Sequence, residues 1–459
     1  MTHNILLNAD SYKASHYLQY PPGTRYVSSY IESRGGAFEQ TVFFGLQMFL
    51  KEYFTKPVTR ADVDEAEALI TPHGLPFNRQ GWDRIVDSHE GHLPVEIEAV
   101  PEGTVLATRN ALVQVRNTDP QLPWLTSYLE TALLRAVWYP TTVATLSWEC
   151  KKLLKRYLDE TADNAKGLFF KLHDFGARGV SSEETAAIGG LAHMVNFRGS
   201  DTLSAIVAAR RYYGEKLAAF SIPAAEHSTI TVWGRDRELD AYANMIDRFA
   251  SKNKTFAVVS DSYNLWNAID DLWGNRLRER VENCGGRLVV RPDSGNPVEI
   301  VNETLSHLMD RFGYRVNSKG YRILPDYIRV IQGDGVSLTA IGEILEAMKN
   351  NGFSADNIAF GMGGELLQKV NRDTLKFAMK TSAAEVDGQW RDVFKDPVTD
   401  SGKRSKKGRL ALVQGDAGYE TVRADELKGR ENQLQTVFRD GVLLVDDTLS
   451  EIRKRAEVD

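Results

Sequence analysis

The chain has 459 residues, more than one ordinary domain holds, so two interlocked domains are expected. Hydrophobic residues make up 42% and charged residues 26%, which is the balance of a soluble globular protein and excludes a disordered chain. The net charge of −6 excludes a general cationic surface for nucleic acid, so an anionic substrate would need a locally basic site.

The N-terminus lacks the basic and apolar regions of a signal peptide, and no apolar run approaches the ~20 residues needed to cross a bilayer. Cys150 and Cys284 are too few for a disulfide scaffold or a thiolate metal site. We therefore expect a cytoplasmic protein with no membrane partner and no nucleic-acid partner. Residues 1–26 combine a short apolar segment with a Pro-Pro-Gly-Thr turn and are predicted to form an N-terminal arm.

The next part of the chain mixes strand and helix patterns. Residues 27–31 alternate like a strand, residues 45–54 have a helical pattern, and residues 95–115 are predicted to be strands interrupted by Pro101-Glu-Gly103. Residues 124–159 are predicted to form long helices that Pro140 interrupts, because proline removes a helical hydrogen bond.

Strand and helix patterns then alternate from residue 168 to about residue 367, which predicts βα units around a parallel sheet or barrel. The apolar runs typical of buried parallel strands are 168–170, 256–259, 288–290 and 328–331. After residue 371 this alternation fades. The antiparallel strands predicted there are 377–385, 411–413 and 443–445.

Polar segments rich in glycine follow these runs at the expected strand ends. They are His173–Arg178, Arg198–Asp201, Pro223–Thr229, Ser260–Ser262, Arg291–Gly295, Gln332–Gly335 and Gly361–Gly364. In α/β barrels the loops at the carboxyl ends of the strands build the active site. Repeated Asp, Arg, His and Gly at these positions predict an enzyme rather than a structural protein.

Two of these segments have more than one interpretation from the residues alone. The guanidinium of Arg291 suits an anion or an amide oxygen, and the carboxylate of Asp293 suits a sugar diol or a hydrated metal. A salt-bridged turn explains the two residues equally well. Glycines at 361–364, beside the preceding glycine turn at 333–335, suit either a phosphate or a tight turn.

His227 and the basic stretch 403–409 are also open at this point. His227 suits a general base, a phosphate acceptor or a core histidine, and its polar neighbours favour a functional role. The basic stretch is a solvated loop or a phosphate-binding loop. No zinc-protease histidine pair, Walker A sequence or serine nucleophile elbow occurs in the sequence.

Taken together, these segments resemble the nicotinamide phosphoribosyltransferase branch of the nicotinate phosphoribosyltransferase-like (type II) family. The resemblance runs from residue 4 to Glu451-Ile-Arg-Lys near the C-terminus. The matching stretches are Asn4-Ile-Leu-Leu, Asp10-Ser-Tyr-Lys, Gln19-Tyr-Pro-Pro, His173-Asp-Phe-Gly, Arg178-Gly-Val-Ser-Ser, Pro223-Ala-Ala-Glu-His-Ser-Thr-Ile-Thr, Arg291-Pro-Asp-Ser-Gly-Asn-Pro, Val330-Ile-Gln-Gly-Asp-Gly-Val, Leu366-Leu-Gln-Lys and Lys403-Arg-Ser-Lys-Lys-Gly-Arg-Leu.

The resemblance implies phosphoribosyl transfer from 5-phosphoribosyl-1-pyrophosphate (PRPP) to nicotinamide, giving nicotinamide mononucleotide and pyrophosphate in NAD salvage. It also implies an α/β fold, with an irregular (β/α) barrel at 126–371 and a sheet-rich α+β domain built from both chain ends, 27–125 plus 372–459. The family forms a homodimer with shared active sites, so the arm would contribute to the partner's site.

By resemblance, the nicotinamide ring would lie between Phe175 and the partner's Tyr12, with its carboxamide bound by Asp201 and Arg291. The groups implied for the phosphoribosyl and pyrophosphate parts, several of them from the other subunit, are Arg178, Gly333, Asp334, Gly363, Gly364, Arg34, Arg372, Lys380, Lys395 and Lys403. Asp293 would hold the ribose hydroxyls or a hydrated Mg²⁺.

His227 matches the histidine that the family phosphorylates from ATP, with Glu226 and Asp261 orienting it or its Mg²⁺. ATP is therefore an expected co-substrate and Mg²⁺ an expected cofactor. The chain departs from the family's pattern at Ala177, Met362, Glu365 and Ala378. These departures concern phosphate affinity and ATP coupling rather than the reaction class.

Two rival functions are considered beside this one. A nicotinate phosphoribosyltransferase would share the fold and PRPP, but a carboxylate at Asp201 accepts a hydrogen bond from an amide and repels nicotinate. A non-catalytic binding or signalling protein that retains the fold would not need its full set of charged residues at the strand ends. The sequence therefore favours a nicotinamide-using enzyme.

Overall fold

The computed structural model describes residues 4–399, 404–416 and 418–458. The strands in chain order are β1 (Thr24–Ser33), β2 (Gln40–Val42), β3 (Val95–Ala99), β4 (Val105–Ala107), β5 (Ala111–Asn117), β6 (Leu172–Asp174), β7 (Gly199–Ser200), β8 (Thr255–Val259), β9 (Arg287–Arg291), β10 (Arg315–Val316), β11 (Arg322–Ile323), β12 (Ile328–Gln332), β13 (Ile358–Met362), β14 (Phe377–Val386), β15 (Gln389–Asp392), β16 (Leu410–Gly415), β17 (Gly418–Arg423), β18 (Gln435–Arg439) and β19 (Val442–Leu443).

The α-helices in chain order are α1 (Leu46–Phe49), α2 (Arg60–Ile70), α3 (Arg79–Ser88), α4 (Leu125–Tyr128), α5 (Glu130–Thr161), α6 (Glu183–His193), α7 (Leu203–Tyr213), α8 (His227–Thr231), α9 (Glu238–Phe249), α10 (Leu265–Asn267), α11 (Arg278–Asn283), α12 (Pro297–Phe312), α13 (Leu338–Asn350), α14 (Gly364–Leu367) and α15 (Leu449–Arg455). Two π-helical segments follow α1 and α10, at Leu50–Phe54 and Ala268–Arg276. No helix in the described part of the chain is long and apolar enough to cross a membrane.

The chain packs as two compact units. The sheet unit comprises residues 1–145, 209–215 and 370–457, and the barrel unit comprises residues 146–208, 216–369 and 458–459. The expected domain limits, 1–26, 27–125 plus 372–459 and 126–371, stay a prediction. The two units describe which residues pack together and do not show which residues fold together.

The barrel unit contains a parallel sheet with the strand order β7-β6-β13-β12-β9-β8. Residues 220–225 link its two edge strands: Ser200 N donates to Phe220 O over 3.1 Å, and Ala257 N donates to Pro223 O over 2.9 Å. We call residues 220–225 the closing segment. Through it the sheet curls into an irregular barrel, which confirms the expected α/β fold class.

Apolar side chains explain why these segments form parallel strands. Every residue from Phe256 to Val259 is buried, and so is every residue from Leu288 to Val290. Helices cover the outer face, whereas Ala257, Val289 and Ile331 pack together with the partly buried Phe175 and Ile222. The apolar runs at 256–259, 288–290 and 328–331 are therefore strands, as predicted.

The prediction of a strand at 168–170 was wrong. Residues Leu168–Phe170 form a 3₁₀ helix, and the strand begins afterwards at Leu172. Only Leu168 in this run is buried, while Phe170 is 50% exposed. The cations of Lys151 and Arg198 lie 4.8 Å and 5.4 Å from the centroid of the Phe169 ring, so this ring contacts charged side chains rather than the core of the sheet.

The sheet unit contains an antiparallel sheet with the order β15-β14-β1-β5-β3-β18-β19. The strand β1 pairs with β5 on one side and with β14 on the other. This arrangement confirms that the sheet is built from both chain ends. Its core contains Ile31, Val113 and Phe377, all fully or almost fully buried.

Pro140 does not interrupt its helix, contrary to the sequence prediction. Helix α5 runs without a break from Glu130 to Thr161. The hydroxyl of Thr142 donates to the carbonyl of Trp138 over 2.5 Å, and the proline ring packs against Gly45, where an added Cβ would meet its Cγ at 2.3 Å. The helix keeps its path because neighbouring residues accommodate the ring.

The N-terminal segment consists of two 3₁₀ helices, Ile5–Leu7 and Ser11–Leu18. Leu6 is fully buried in the core of the sheet unit, and Tyr128 Oη donates to its carbonyl over 2.6 Å. Tyr12 is 56% exposed. Its predicted contribution to a partner's active site stays a prediction.

Candidate active site

The carboxyl ends of the parallel strands bring the polar segments of the barrel unit together. His173 lies in β6, and Phe175 is the first residue after that strand. Arg291 is the last residue of β9, Gly333 follows β12 and Gly361 lies in β13. These strands are neighbours in the sheet, so their ends converge. This is the edge at which barrel enzymes place their chemistry.

Phe175 is held at this edge by close contact with glycines. Its backbone N donates to Met362 O over 2.9 Å. A Cβ added to Gly361 would lie 1.9 Å from Phe175 Cε2, and one added to Gly333 would lie 3.2 Å from the same atom. The guanidinium of Arg291 lies 5.6 Å from the ring centroid. The half-buried ring therefore has a fixed position beside a cation.

Asp201 has one carboxylate oxygen bound and one available. Oδ1 accepts from Ser221 Oγ over 2.5 Å and lies 2.9 Å from His173 Nε2, while no donor within the described ranges binds Oδ2. Burial raises the pKa of Asp201, but His173, Ser221 and the charge of Arg178 outweigh it and the net pKa is lowered. The side chain, 49% exposed, is thus an ionised acceptor.

His173 connects Asp201 with Phe175. An ionised carboxylate only accepts hydrogen bonds, so Nε2 of His173 must carry the proton. The imidazole centroid lies 5.1 Å from that of Phe175. A Cβ on Gly199 would lie 2.7 Å from His173 Nδ1, so the ring lies against the glycine backbone of the neighbouring strand.

Arg291 and Asp293 bind each other. Nε and Nη2 of Arg291 donate to Oδ1 of Asp293 over 3.1 Å and 2.6 Å. This ion pair is the salt-bridged turn that was considered from the sequence. Oδ2 of Asp293 takes no part in the hydrogen bonds from Arg291. The geometry is therefore compatible with both interpretations, structural and ligand-binding.

His227 lies at the start of α8 within a chain of carboxylates. Its Nε2 lies 2.9 Å from Asp261 Oδ1, and its Nδ1 lies 3.9 Å from Asp293 Oδ2. Asp261 is almost buried, and its Oδ2 accepts from Asp293 N and Ser294 Oγ over 3.1 Å and 2.5 Å. In the tautomer that donates from Nε2 to Asp261, Nδ1 carries the lone pair and is not within hydrogen-bond distance of Asp293 Oδ2.

Glu226 caps the same helix and is not bound to His227. Its carboxylate accepts from the Ser228 hydroxyl, and its backbone carbonyl accepts from the backbone N of Thr229 over 3.1 Å. Both residues were predicted to orient His227. Asp261 contacts the imidazole directly, whereas Glu226 is the N-cap of the helix that begins at His227.

The glycines predicted to bind phosphate leave their backbone open. A Cβ on Gly364 would meet nothing within 4 Å, and one on Gly363 would meet only Phe175 O, at 3.7 Å. Asp334 is exposed, and its carbonyl accepts from Gln332 Nε2 over 2.7 Å. Arg178 lies nearby in the turn after Phe175, and Glu365 is bound by Lys369, so its charge is partly neutralised.

Four of the cations predicted to bind pyrophosphate lie in the sheet unit: Arg34, Arg372, Lys380 and Lys395. Burial lowers the pKa of Lys380; Glu130 opposes this, and the charges of Arg34, Lys13 and Lys395 add to it. Lys380 therefore lies within electrostatic range of these three cations, of which Arg34 pairs with Glu32 and Lys13 pairs with Glu130. Arg372 is exposed and paired with Asp373, and Lys403 lies outside the described residues.

A protein-only metal site is not found in the ranges that the structure describes, where no group of three or more His, Cys, Asp or Glu side chains could hold an ion. Around His227, both oxygens of Asp261 and Oδ1 of Asp293 accept protein hydrogen bonds. Of these two carboxylates, Asp293 Oδ2 is the oxygen left for a hydrated cation by the hydrogen bonds of the described residues. Mg²⁺ commonly takes one or two carboxylates together with water and substrate phosphates, so the residues fit such a site.

Two residues of this cluster, His173 and Ser221, were assigned no role from the sequence, and Gly361 was assigned a different role. The alternation of a strand, which places His173 and Phe175 two residues apart on one face, was a signal for the first. Gly361 was assigned with the phosphate glycines, although it adjoins Phe175. Ser221 carried no local signal, because its partner Asp201 is brought to it only by the closing segment.

Comparison with known proteins identifies the family. The sequence profile of the nicotinate phosphoribosyltransferase (NAPRTase) family matches residues 170–442, more than half of the chain, and the profile of the nicotinamide phosphoribosyltransferase N-terminal domain matches residues 4–97. The chain belongs to the nicotinate phosphoribosyltransferase family. Members are pentosyltransferases, so the chain is an enzyme of phosphoribosyl transfer in NAD salvage, and the non-catalytic alternative is set aside.

Relatives named nicotinamide phosphoribosyltransferase support membership of the nicotinate phosphoribosyltransferase family over the full length. One from Xanthomonas campestris pv. campestris (strain 8004) is 54% identical over 461 residues, covering 99% of this chain and 98% of the relative. One from Acinetobacter baylyi (strain ATCC 33305 / BD413 / ADP1) is 33% identical over 489 residues, covering 98% and 96%.

Solved structures support the fold. The nicotinate-nucleotide pyrophosphorylase from Pyrococcus furiosus has a TM-score of 0.63 at 16% identity, covering 99% of this chain and 95% of that chain. Human nicotinic acid phosphoribosyltransferase has a TM-score of 0.58 at 17% identity, covering 97% and 92%. The irregular barrel with an added antiparallel sheet is thus the fold of the nicotinate phosphoribosyltransferase family.

Proposed function

We propose that the chain transfers the phosphoribosyl group of PRPP to nicotinamide rather than to nicotinate. The ring nitrogen would attack C1 of the ribose while the bond from C1 to the pyrophosphate oxygen breaks and its electron pair leaves with pyrophosphate. The products would be nicotinamide mononucleotide and pyrophosphate. C1 gains oxocarbenium character in this step, so positioning and charge stabilisation do most of the catalysis.

One observation carries the choice of nicotinamide: the ionised Asp201 beside the fixed ring of Phe175. An amide NH₂ would donate to Asp201 Oδ2, which has no protein donor in the described ranges. The carboxylate of nicotinate would instead meet a like charge, at a cost on the order of 1–4 kcal/mol for a separation of roughly 4 Å. The two bacterial relatives named nicotinamide phosphoribosyltransferase agree with this choice.

The test is a pyrophosphate-release assay that requires PRPP, run with nicotinamide and with nicotinate over the same concentration range. We expect kcat/KM to be at least about tenfold higher for nicotinamide, the ratio that corresponds to ~1.4 kcal/mol. Equal or higher efficiency with nicotinate would overturn the proposal and favour the rival substrate.

We further propose that ATP hydrolysis is coupled through His227. The Nδ1 lone pair would attack the γ-phosphorus of ATP, the bond from that phosphorus to the ADP oxygen would break, and water would later cleave the phosphorus–nitrogen bond. Two features support this: the contact of Asp261 with Nε2, which leaves Nδ1 as the nucleophile, and the 47% exposure of the side chain. Mg²⁺ would supply charge neutralisation for the phosphates, with Asp293 Oδ2 holding one of its waters.

We also propose a homodimer in which the partner's sheet unit completes each site. Tyr12 and the cations Arg34, Arg372, Lys380, Lys395 and Lys403 would bind the nicotinamide ring and pyrophosphate of the other subunit. The positive charges of Arg34 and Lys395 that act on Lys380 support an anion site in this unit, because Glu32 and Glu130 carry fewer charges than the cations around them.

A further inference from the structure

A pair of donors holds the recognition carboxylate of the barrel unit. His173 Nε2 and Ser221 Oγ both reach Oδ1 of Asp201, from β6 and from the closing segment, respectively. They leave Oδ2 without a protein donor among the residues that the structure describes. A carboxylate bound at one oxygen from two directions has little freedom to rotate about its terminal bond.

We infer that His173 and Ser221 are positioning residues that set the selectivity for amide over acid, by fixing Asp201 with Oδ2 turned to the ring substituent. This inference rests on the proposed use of nicotinamide. A carboxylate that took up a proton would offer a hydroxyl donor to nicotinate, and one that rotated freely would no longer be aligned with an NH₂ group. The two donors therefore act on the substrate only through Asp201.

His173 is built into this position by the fold. Its ring lies against Gly199, where a Cβ would come within 2.7 Å of Nδ1, and against Phe175, with centroids 5.1 Å apart. His173 is mostly buried, with 14% of its side chain exposed, and Asp201 is half exposed. Ser221 approaches from the closing segment, which is fixed by backbone hydrogen bonds to β7 and β8.

The variants Ser221→Ala and His173→Leu each remove one donor, whereas Ser221→Thr and His173→Gln keep a donor near the same place. Matched controls come from pairs elsewhere in the barrel unit: Ser318→Ala, whose hydroxyl donates to Asp163 Oδ1, and His307→Leu, whose imidazole contacts Asp270. Both controls remove the same kind of contact from a carboxylate that has no part in the proposed site.

For each variant, kcat and KM are measured with nicotinamide and with nicotinate. Loss of a hydrogen bond to a charged group corresponds to about a tenfold or larger effect. We expect KM for nicotinamide to rise about tenfold, kcat to change by less than about threefold, and the preference for nicotinamide to fall about tenfold. The Thr and Gln variants should recover most of the preference, and the controls should match the wild type.

A pH profile separates positioning from a merely structural role. The charged or titratable groups that face Asp201 are His173 on β6 and Arg178 in the turn after Phe175, while Ser221 is neutral. Removing the Ser221 hydroxyl removes a donor that lowers the pKa of Asp201, so that pKa should rise. The acidic limb of kcat/KM for nicotinamide should then move to higher pH in Ser221→Ala, although no titrating group has been lost.

Unchanged selectivity together with an unchanged acidic limb in Ser221→Ala and His173→Leu would overturn the inference. Equal impairment of the donor-keeping and donor-lacking variants would also overturn it, because a packing role would then explain the effect. Failure of the proposed function itself is distinct, because the wild type would then use nicotinate at least as efficiently as nicotinamide or would release no pyrophosphate with nicotinamide.

Discussion

The ring of Phe175 occupies the space that a side chain at Gly361 would need: an added Cβ would lie 1.9 Å from Cε2. Gly361 does not have a positive φ, so the backbone accepts alanine and only the ring must move. We expect Gly361→Ala to raise KM for nicotinamide by about tenfold or more, because overpacking costs roughly 1–3 kcal/mol and the ring would shift to relieve it.

Steady-state kinetics and thermal unfolding check this prediction. Gly342→Ala is the matched control, because Gly342 lies inside helix α13 and an added Cβ would meet only Leu153 Cδ2, at 3.7 Å. The control should keep its KM and its stability, or gain a little stability from helix propensity. A Gly361→Ala enzyme with a wild-type KM would show that Phe175 does not bind the ring.

Asp201→Asn tests the recognition carboxylate directly. It keeps the shape of the side chain, removes the charge and replaces one acceptor by a donor. We expect kcat/KM for nicotinamide to fall by an amount equivalent to roughly 1–3 kcal/mol, and discrimination against nicotinate to fall with it. Parallel assays with both substrates measure this, and an unaltered preference would remove Asp201 from ring recognition.

His227 should take up phosphate from γ-labelled ATP at Nδ1. The label should be acid-labile and alkali-stable, and His227→Ala should abolish it while keeping some PRPP-dependent transfer without ATP stimulation. Asp261→Asn should reduce labelling, because an amide N–H facing Nε2 favours the tautomer that protonates Nδ1. Radiolabelling and phosphohistidine analysis check these outcomes.

His307→Ala provides the control for phosphorylation, since this histidine also contacts an aspartate, Asp270, outside the proposed site. It should retain full labelling. Full ATP stimulation of the His227→Ala enzyme would return His227 to a structural role.

Glu102 makes stability depend on pH. This buried carboxyl accepts from Gly45 N and Gln47 N and from the Tyr213 hydroxyl, yet burial raises its pKa to about 7, from an ordinary value of 4.5. A folded-state pKa above the unfolded one gives stability that is complete below pH 4.5 and lost as pH rises through 7.

Thermal unfolding of the wild type and of Glu102→Gln between pH 5 and 8 tests this, because glutamine cannot titrate. Relative to the variant, the wild type should lose roughly 3 kcal/mol as pH rises across this range. Substitution of an exposed glutamate in the same unit, Glu39→Gln, should leave the pH dependence unchanged. Parallel curves for the wild type and Glu102→Gln would contradict the prediction.

A mixture of two inactive variants tests the shared site. Tyr12→Ala and Asp293→Ala should each inactivate a homodimer. If each site takes Tyr12 from one subunit and Asp293 from the other, mixed dimers contain one intact site and one with both lesions. Subunit exchange makes half of the dimers mixed, so activity should recover to roughly a quarter of wild type. A mixture that exchanges subunits and stays inactive would rule out the interface assignment.

The sequence predicted the parallel strands well because burial on both faces leaves a continuous apolar run, as in Phe256–Val259. The same criterion failed at Leu168–Phe170. There the Phe169 ring contacts the cation of Lys151 and the Phe170 ring packs against Phe220, so neither ring contributes to a sheet. The prediction that Pro140 interrupts its helix rested on a different rule. It was wrong because the neighbours that accommodate the proline, Gly45 and Thr142, are not visible in a local sequence pattern.

In the candidate site, too, local sequence patterns predicted some features and contacts between distant segments determined the others. Segment order and residue type predicted which strand ends carry polar groups, and Phe175, Asp201, Arg291 and His227 all lie there. The hydrogen bonds among them could not be predicted, because Ser221 reaches Asp201 only after the closing segment has joined the edges of the barrel. Contacts between distant segments require the fold.

The antiparallel sheet has a consequence for biosynthesis. Strands β1, β5 and β3 leave the ribosome early, but their outer neighbours β14 and β18 lie after residue 376. At about 5–20 residues per second, the nascent chain would carry two unpaired strand edges for on the order of 10–50 s while the intervening residues are made. Unpaired edges are templates for association with other chains. C-terminal truncations that remove β14 or β18 would make this exposure permanent, so truncated products should aggregate rather than accumulate as folded fragments.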